Sequence, residues 1–378
     1  MATIDAHSYD LTTEAGVEGY LSNTAFACTK AEALSGGTAN FVFRIHLREA
    51  RDGKETLVLK HGQLYIKSLP SIAFDIQRQS FEVEALRRIR EWLPSTAFVT
   101  VPTVYLFDEK EHVIIMDDCG SDCMTLKSFM QSGRCTAEIA HRIGKEVGEF
   151  IGQLHAWSRV HPEMCKFFEQ NPQAKEMSSW AFYGRLVQTF DDGLEKLQDP
   201  DVRLTEEERK ALETICEESI DAMKNVTGTF VMGDFWPGNL VLSFDHVGNV
   251  MQIRVLDWEM CKPGLFGAEL GQFCAELILL TRFNAEVCGQ TAHILLEDLL
   301  KTYTTHITPD LEMCRRAIVH LGAHLVTLTP RIEWGGKEMT QEVVKEGKRL
   351  VLEGYSGEKG WLVESHIKPL VNLITEPK

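Results

Sequence analysis

The segment Met232-Gly233-Asp234-Phe235-Trp236-Pro237-Gly238-Asn239 is followed by two short apolar runs, 240–242 and 253–256, and then by Asp257-Trp258-Glu259. Asp245-His246-Val247-Gly248-Asn249 supplies a turn between the runs, so the stretch reads as polar loop, β-hairpin, polar loop. A hairpin doubles back on itself, so Asp257 is expected to return toward Asp234 and Asn239. Either loop alone reads as an ordinary polar turn. The two together, at this spacing, constrain the chain far more than any other feature it carries.

The trio matches what phosphoryl transfer asks of a protein. One carboxylate must orient the attacking hydroxyl and accept its proton, while an Asn and an Asp hold magnesium against the phosphates. Asp234 takes the first role in this reading. Asn239, five residues on, and Asp257 take the other two.

Upstream, Phe41, Phe43, Ile45 and Leu47 alternate with Val42, Arg44 and His46, and a turn at Asp52-Gly53 leads into the apolar run 56–59 and Lys60. This predicts a second β-hairpin. Residues 81–93 place Phe81, Ala85, Leu86, Ile89, Trp92 and Leu93 on one side at helical spacing, and Pro94 ends the run. Glu82 has Ala85, Leu86 and Ile89 on its own face and so points inward, whereas Glu84 shares its face with Arg87, Arg88 and Glu91. A carboxylate on a buried face needs a partner. Lys60, placed where a phosphate-binding lysine would stand, is the expected one. Ser35-Gly36-Gly37-Thr38-Ala39-Asn40 precedes the hairpin and can bring backbone N–H groups to phosphate oxygens. The extended run 113–116 leads into Met116-Asp117-Asp118, expected to offer backbone groups to an adenine.

Beyond this point helical periodicity dominates, over 140–155 and again over 206–223. The expected class is α+β, a two-lobed protein-kinase-like fold. Its β-rich nucleotide-binding lobe spans 1–116, with a hinge near 116–120, and a helical catalytic and substrate-binding lobe spans 117–378. His155, near the end of its predicted helix, reads as structural. The acceptor pocket is expected in the helical lobe, with Trp236, Trp258, Glu259, Arg331, Glu333 and Trp334 as candidate lining groups. Aromatic walls with carboxylates suit a cationic amine; Arg331 equally suits an anionic or sugar-like group.

Composition removes other classes. The 378 residues carry 55 acidic against 39 basic side chains, for a net charge of −16, and no basic run, so nucleic acid is not an expected partner. No apolar run approaches the roughly 20 residues a membrane helix needs. Residues 1–16 carry Asp5, Asp10 and Glu14 without the basic and apolar regions of a leader. The ten cysteines form no C-x-x-C pair, as expected of reduced thiols in the cytoplasm.

Ser35-Gly36-Gly37-x-x-Asn40, Leu59-Lys60-His61, the Met232–Asn239 motif and Leu256-Asp257-Trp258-Glu259 together resemble the aminoglycoside phosphotransferase and choline kinase-like superfamily. The resemblance is strongest to the branch with methylthioribose kinase and fungal 4-hydroxytryptamine kinase, and it covers most of the chain. It implies an ATP- and Mg2+-dependent small-molecule kinase acting on a hydroxyl, with Asp234 as base and Asn239 with Asp257 as metal ligands; tryptamine-like, thioribose-like, aminoglycoside-like and choline-like acceptors stay open, an amine or thiosugar among them. Two departures stand out. The family usually has His where Met232 stands, and often Asp where Glu269 stands, which weakens the expected bracing of the catalytic loop. A catalytically idle nucleotide-binding or interaction module is the alternative these departures raise. A protein kinase is disfavoured, because a helix is expected too soon after Asp257 to leave room for a long activation segment.

Overall fold

Alternating apolar positions build the antiparallel strands Phe41–Arg51 and Lys54–His61, with Phe43 opposite Leu59 and Ile45 opposite Leu57. These four side chains are buried on one face of the sheet. Asp52 and Gly53 close the hairpin with φ of 47° and 76°, the left-handed conformations that a tight hairpin turn requires. In this computed structural model, which describes residues 9–200, 202–372 and 374, the chain divides into two compact units. One comprises Met1–Cys123 with Arg254–Glu259, the other Met124–Ile253 with Met260–Lys378. Residues 1–8, on which part of the leader reading rests, lie outside the described residues.

The first unit is a five-stranded sheet in the order Cys28–Ala33, Phe41–Arg51, Lys54–His61, Val113–Asp117, Val104–Asp108, every neighbouring pair antiparallel. The helix Arg78–Trp92 starts a turn earlier than its apolar spacing suggests and buries Phe81, Glu82, Ala85, Leu86 and Ile89. A short helix not anticipated from sequence, Glu14–Leu21, is capped by Thr13 and packs Val17 and Leu21 into the core around Phe43 and Ile45.

The second unit is mainly helical. Ala137–Val160 packs on Gln290–Tyr303, and Leu311–Leu328 packs between Phe266–Phe283 and Lys337–Tyr355. Gly267 and Gly271 permit the close approach of Phe266–Phe283 to Leu311–Leu328: a Cβ at these positions would lie 2.3 Å from the Met313 carbonyl oxygen and 2.4 Å from that of Ala317. This contact seats the helix that carries Glu269, Gln272 and Glu276. The hairpin strands Leu240–Phe244 and Val250–Val255 are hydrogen-bonded neighbours, and Asp245 closes their turn by accepting from the N–H groups of Val247 and Asn249. One sheet-built unit and one helical unit make the expected α+β class. Among the described residues no helix is long and apolar enough to cross a membrane, and the ten cysteines are free.

Candidate active site

In the first unit Lys60 stands at the end of its strand, almost wholly buried. Its Nζ donates to Glu82 Oε1 at 2.9 Å and to Asp257 Oδ1 at 2.6 Å, with Glu259 Oε2 at 3.8 Å. Burial by itself lowers a lysine's pKa; Asp257, Glu259 and Glu82 together more than reverse this and hold Lys60 raised and charged. Burial raises the Glu82 pKa and the Lys60 ammonium opposes that rise. Glu84, on the neighbouring face, pairs with Arg88 instead.

Asp257 adopts φ of 66°, a left-handed conformation that Asp tolerates better than most residues. Its Oδ2 has no hydrogen-bond partner among the described residues. Glu82, Asp257 and Glu259 each offer an oxygen within 4.8 Å of the others. Glu82 is taken by Lys60, and Glu259 by Asn40 Nδ2 at 2.8 Å and Arg78 Nε at 3.1 Å. Asp257 thus has an oxygen to spare for a hard cation, and Glu82 Oε2, 2.8 Å from Lys60 Nζ, makes no hydrogen bond of its own.

The second unit holds the Met232–Asn239 loop. Asp234 Oδ1 accepts from Gln272 Nε2 at 2.9 Å and Oδ2 accepts from Asn239 Nδ2 at 2.9 Å. Asn239 also donates to the Asp234 carbonyl at 3.0 Å, so its amide nitrogen is spent on the loop and its Oδ1 remains available as a hard donor. An unspent amide oxygen of this kind is chemically suited to magnesium. Gly233, at φ of 82°, donates its N–H to Glu269 Oε1 at 2.7 Å. Glu269 Oε2 lies 2.8 Å from His155 Nε2, and His155 Nδ1 lies 2.9 Å from the Tyr303 hydroxyl. The carboxylate can only accept, so Nε2 carries the proton and Nδ1 accepts from Tyr303. Burial holds the His155 pKa down, keeping the ring neutral.

These contacts correct several expectations. Glu269 braces the Met232–Asn239 loop directly, and Met232 is fully buried within it. His155 lies inside a helix that runs on to Val160, at the centre of that brace. Trp258 and Glu259 do not line an open acceptor pocket: Trp258 is fully buried with its indole N–H on the Val255 carbonyl, and Glu259 is buried against Arg78. Arg331 is engaged by Asp192, Thr189 and the Thr327 carbonyl, and the outward-facing Glu333 by Lys196.

Trp236 and Trp334 do converge, on a residue the sequence did not single out. Lys127 Nζ sits 3.6 Å from the Trp334 ring centroid, 5.2 Å from that of Trp236 and 3.4 Å from Glu276 Oε2.

The remaining candidates lie in the first unit. Ser35, Gly36 and Gly37 are exposed between strands, with Gly36 at φ of 106°. The Asn40 side chain is buried and spent on Glu259 and Arg78, so it anchors this loop rather than presenting itself to a ligand. Met116 is paired within the sheet, and the Asp117 N–H donates to the Thr103 carbonyl. Asp117 is held by Lys54 and Tyr105 and Asp118 by Arg44, so their carboxylates are internally neutralised. Gln272, Lys127 and Glu276 had no distinguishing local pattern; the one available clue was Gln272 standing three residues after Glu269 on a helix.

A family model described as the phosphotransferase enzyme family matches residues 30–337. The 4-hydroxytryptamine kinase of Psilocybe cyanescens is 28% identical over 352 residues, covering 90% of this chain and 92% of its own. Phosphotransferase FrzJ of Cladobotryum sp is 27% identical over 386 residues, covering 93% and 94%. Methylthioribose kinase of Geobacillus kaustophilus is 25% identical over 288 residues, covering 71% of this chain and 64% of its own.

Proposed function

We propose, since this chain belongs to the phosphotransferase enzyme family and is a small-molecule kinase, that it transfers the γ-phosphate of magnesium-bound ATP to a hydroxyl of an aromatic amine. The observation that carries this reading is Asp234, whose carboxylate is fixed at both oxygens by the amides of Gln272 and Asn239. A carboxylate so held keeps one orientation toward an incoming hydroxyl and needs no reorganisation when it takes the proton. Lys60, kept charged by its acidic neighbours and aimed by Glu82, serves the nucleotide phosphates. The exposed Ser35-Gly36-Gly37 backbone covers them, and the chain at Met116-Asp117-Asp118 serves the adenine. Asn239 and Asp257 are the residues that would hold magnesium, which supplies neutralisation of charge on the phosphate oxygens.

For the acceptor, Trp236, Trp334 and the buried Glu276 already accommodate one ammonium group, that of Lys127. A substrate amine that displaces the Lys127 ammonium meets two aromatic faces and a carboxylate. The likeness to 4-hydroxytryptamine kinase over most of both chains points the same way. The chemistry of the loop supports an active enzyme over an idle module: Met232 and Glu269, which raised that alternative, fill and brace the loop.

The test is mass-spectrometric detection of phosphorylated product from MgATP with 4-hydroxytryptamine or methylthioribose. Transfer to the amine, with KM raised roughly tenfold in Glu276→Gln, is the expected result. Transfer to methylthioribose alone would replace the amine by a thiosugar.

A further inference from the structure

Lys262 lies just past the Asp257 loop and is built against the catalytic loop twice. Its backbone exchanges N–H···O bonds with Val231 at 3.0 and 3.2 Å, an isolated antiparallel bridge immediately before Met232 and Gly233. Its side chain is 3% exposed, and among the described residues the sole acceptor for its ammonium is the Met260 carbonyl at 3.1 Å. Gly233 makes room for it: a Cβ there would fall 2.3 Å from Lys262 Nζ and 2.2 Å from the Met260 oxygen. On its N–H side Gly233 is held by Glu269. The residue before Asp234 is thus gripped between a buried cation and a buried carboxylate. A cavity of about 30 Å³, lined in part by Lys262, Gly233, Glu269, Gln272 and His320, adjoins them and is large enough for a water molecule.

A buried ammonium with one neutral acceptor is a costly arrangement, and the cost is borne beside the loop that carries the proposed base. We propose that Lys262 is a positioning residue for phosphoryl transfer, its ammonium fixing Gly233 and balancing the Glu269 and Asp234 carboxylates so that Asp234 keeps its orientation. This rests on the reading of Asp234 as the base. The groups that act on the Lys262 charge are Glu269, Cys261 and Asp234, which favour it, and Lys175, which opposes it. His320, pushed down to about 3 by burial, stays neutral. Burial outweighs the favourable charges and lowers Lys262 to about 8.

The experiment compares wild type, Lys262→Met and Lys262→Arg by steady-state kinetics with MgATP and 4-hydroxytryptamine from pH 6 to 10, with melting temperature as a check on folding. Expected are a kcat in Lys262→Met lowered by roughly tenfold to a hundredfold at unchanged ATP KM, and an alkaline fall in wild-type kcat that Lys262→Arg abolishes, since a guanidinium stays charged. If Lys262→Met does not fold, the Arg variant decides: the same alkaline fall as wild type overturns the proposal. A kcat within twofold of wild type in folded Lys262→Met also overturns it, while leaving the kinase reading intact. Wild type that transfers phosphate to no acceptor removes the kinase reading first, and this proposal with it.

Discussion

Gln272 donates its amide to one oxygen of Asp234, at 2.9 Å, while Asn239 holds the other. Gln272 sits on the Phe266–Phe283 helix three residues after Glu269, so a single helical face aims the carboxylate and braces the loop beneath it. Removing the amide in Gln272→Ala frees one carboxylate oxygen without touching the groups assigned to the nucleotide. The expected effect is a kcat lower by roughly tenfold to a hundredfold with ATP KM unchanged. Steady-state kinetics check it; a rise in ATP KM at constant kcat would contradict the role.

Glu82 and Glu84 form a matched pair on one helix. Glu82→Gln removes the charge that aims Lys60 and should lower kcat/KM for ATP by roughly tenfold or more. Glu84→Ala breaks an i,i+4 pair with Arg88 and should change stability by no more than about 0.5 kcal/mol, with kinetics unaltered. Parallel ATP saturation curves distinguish them, and the opposite order would place the wrong glutamate at Lys60.

His155 joins Glu269 to Tyr303 in a buried site. His155→Phe preserves the ring that stacks 4.0 Å from Phe266 but leaves a buried carboxylate oxygen and a hydroxyl unpartnered. Urea unfolding should show a loss of about 1–3 kcal/mol. An unchanged midpoint and slope would mean that the brace contributes nothing to stability.

Lys262 gives the protein a pH signature of stability distinct from its effect on turnover. Its pKa falls from 10.5 to about 8 on folding, so between these values the unfolded chain holds more protons and stability rises with pH. The destabilisation, on the order of 3 kcal/mol, is fully present below about pH 8 and is relieved by about pH 10.5. Wild type should therefore gain on Lys262→Met across that window in paired denaturant titrations. Parallel curves would show that Lys262 titrates normally in the folded protein.

What was legible in the sequence was what local periodicity carries. The Lys60–Glu82 contact follows from one strand end and one helix register, and the chain positions of Asp234, Asn239 and Asp257 from two loops and a hairpin. What was not legible depends on distant partners. Glu259 looked like a pocket carboxylate because nothing near it in sequence reveals Asn40, 219 residues away, or Arg78. Gln272 and Glu269 lie on a helix whose first fifteen residues, Phe266 through Leu280, are all buried, so apolar spacing marks no inward face. Lys262 carries no local signal, because its position is set by the bridge to Val231 and by the absence of a side chain at Gly233.

The central claim, that Asp234 serves an ATP-dependent transfer rather than nucleotide binding, is tested most directly by comparing wild type with Asp234→Asn in two assays on the same preparation. One is calorimetric titration with a non-hydrolysable ATP analogue with and without magnesium; the other is phosphate transfer to 4-hydroxytryptamine. The account predicts magnesium-dependent binding of equal affinity in both proteins, and transfer in wild type alone. Transfer retained in Asp234→Asn, or no magnesium-dependent binding by folded wild type, would contradict it.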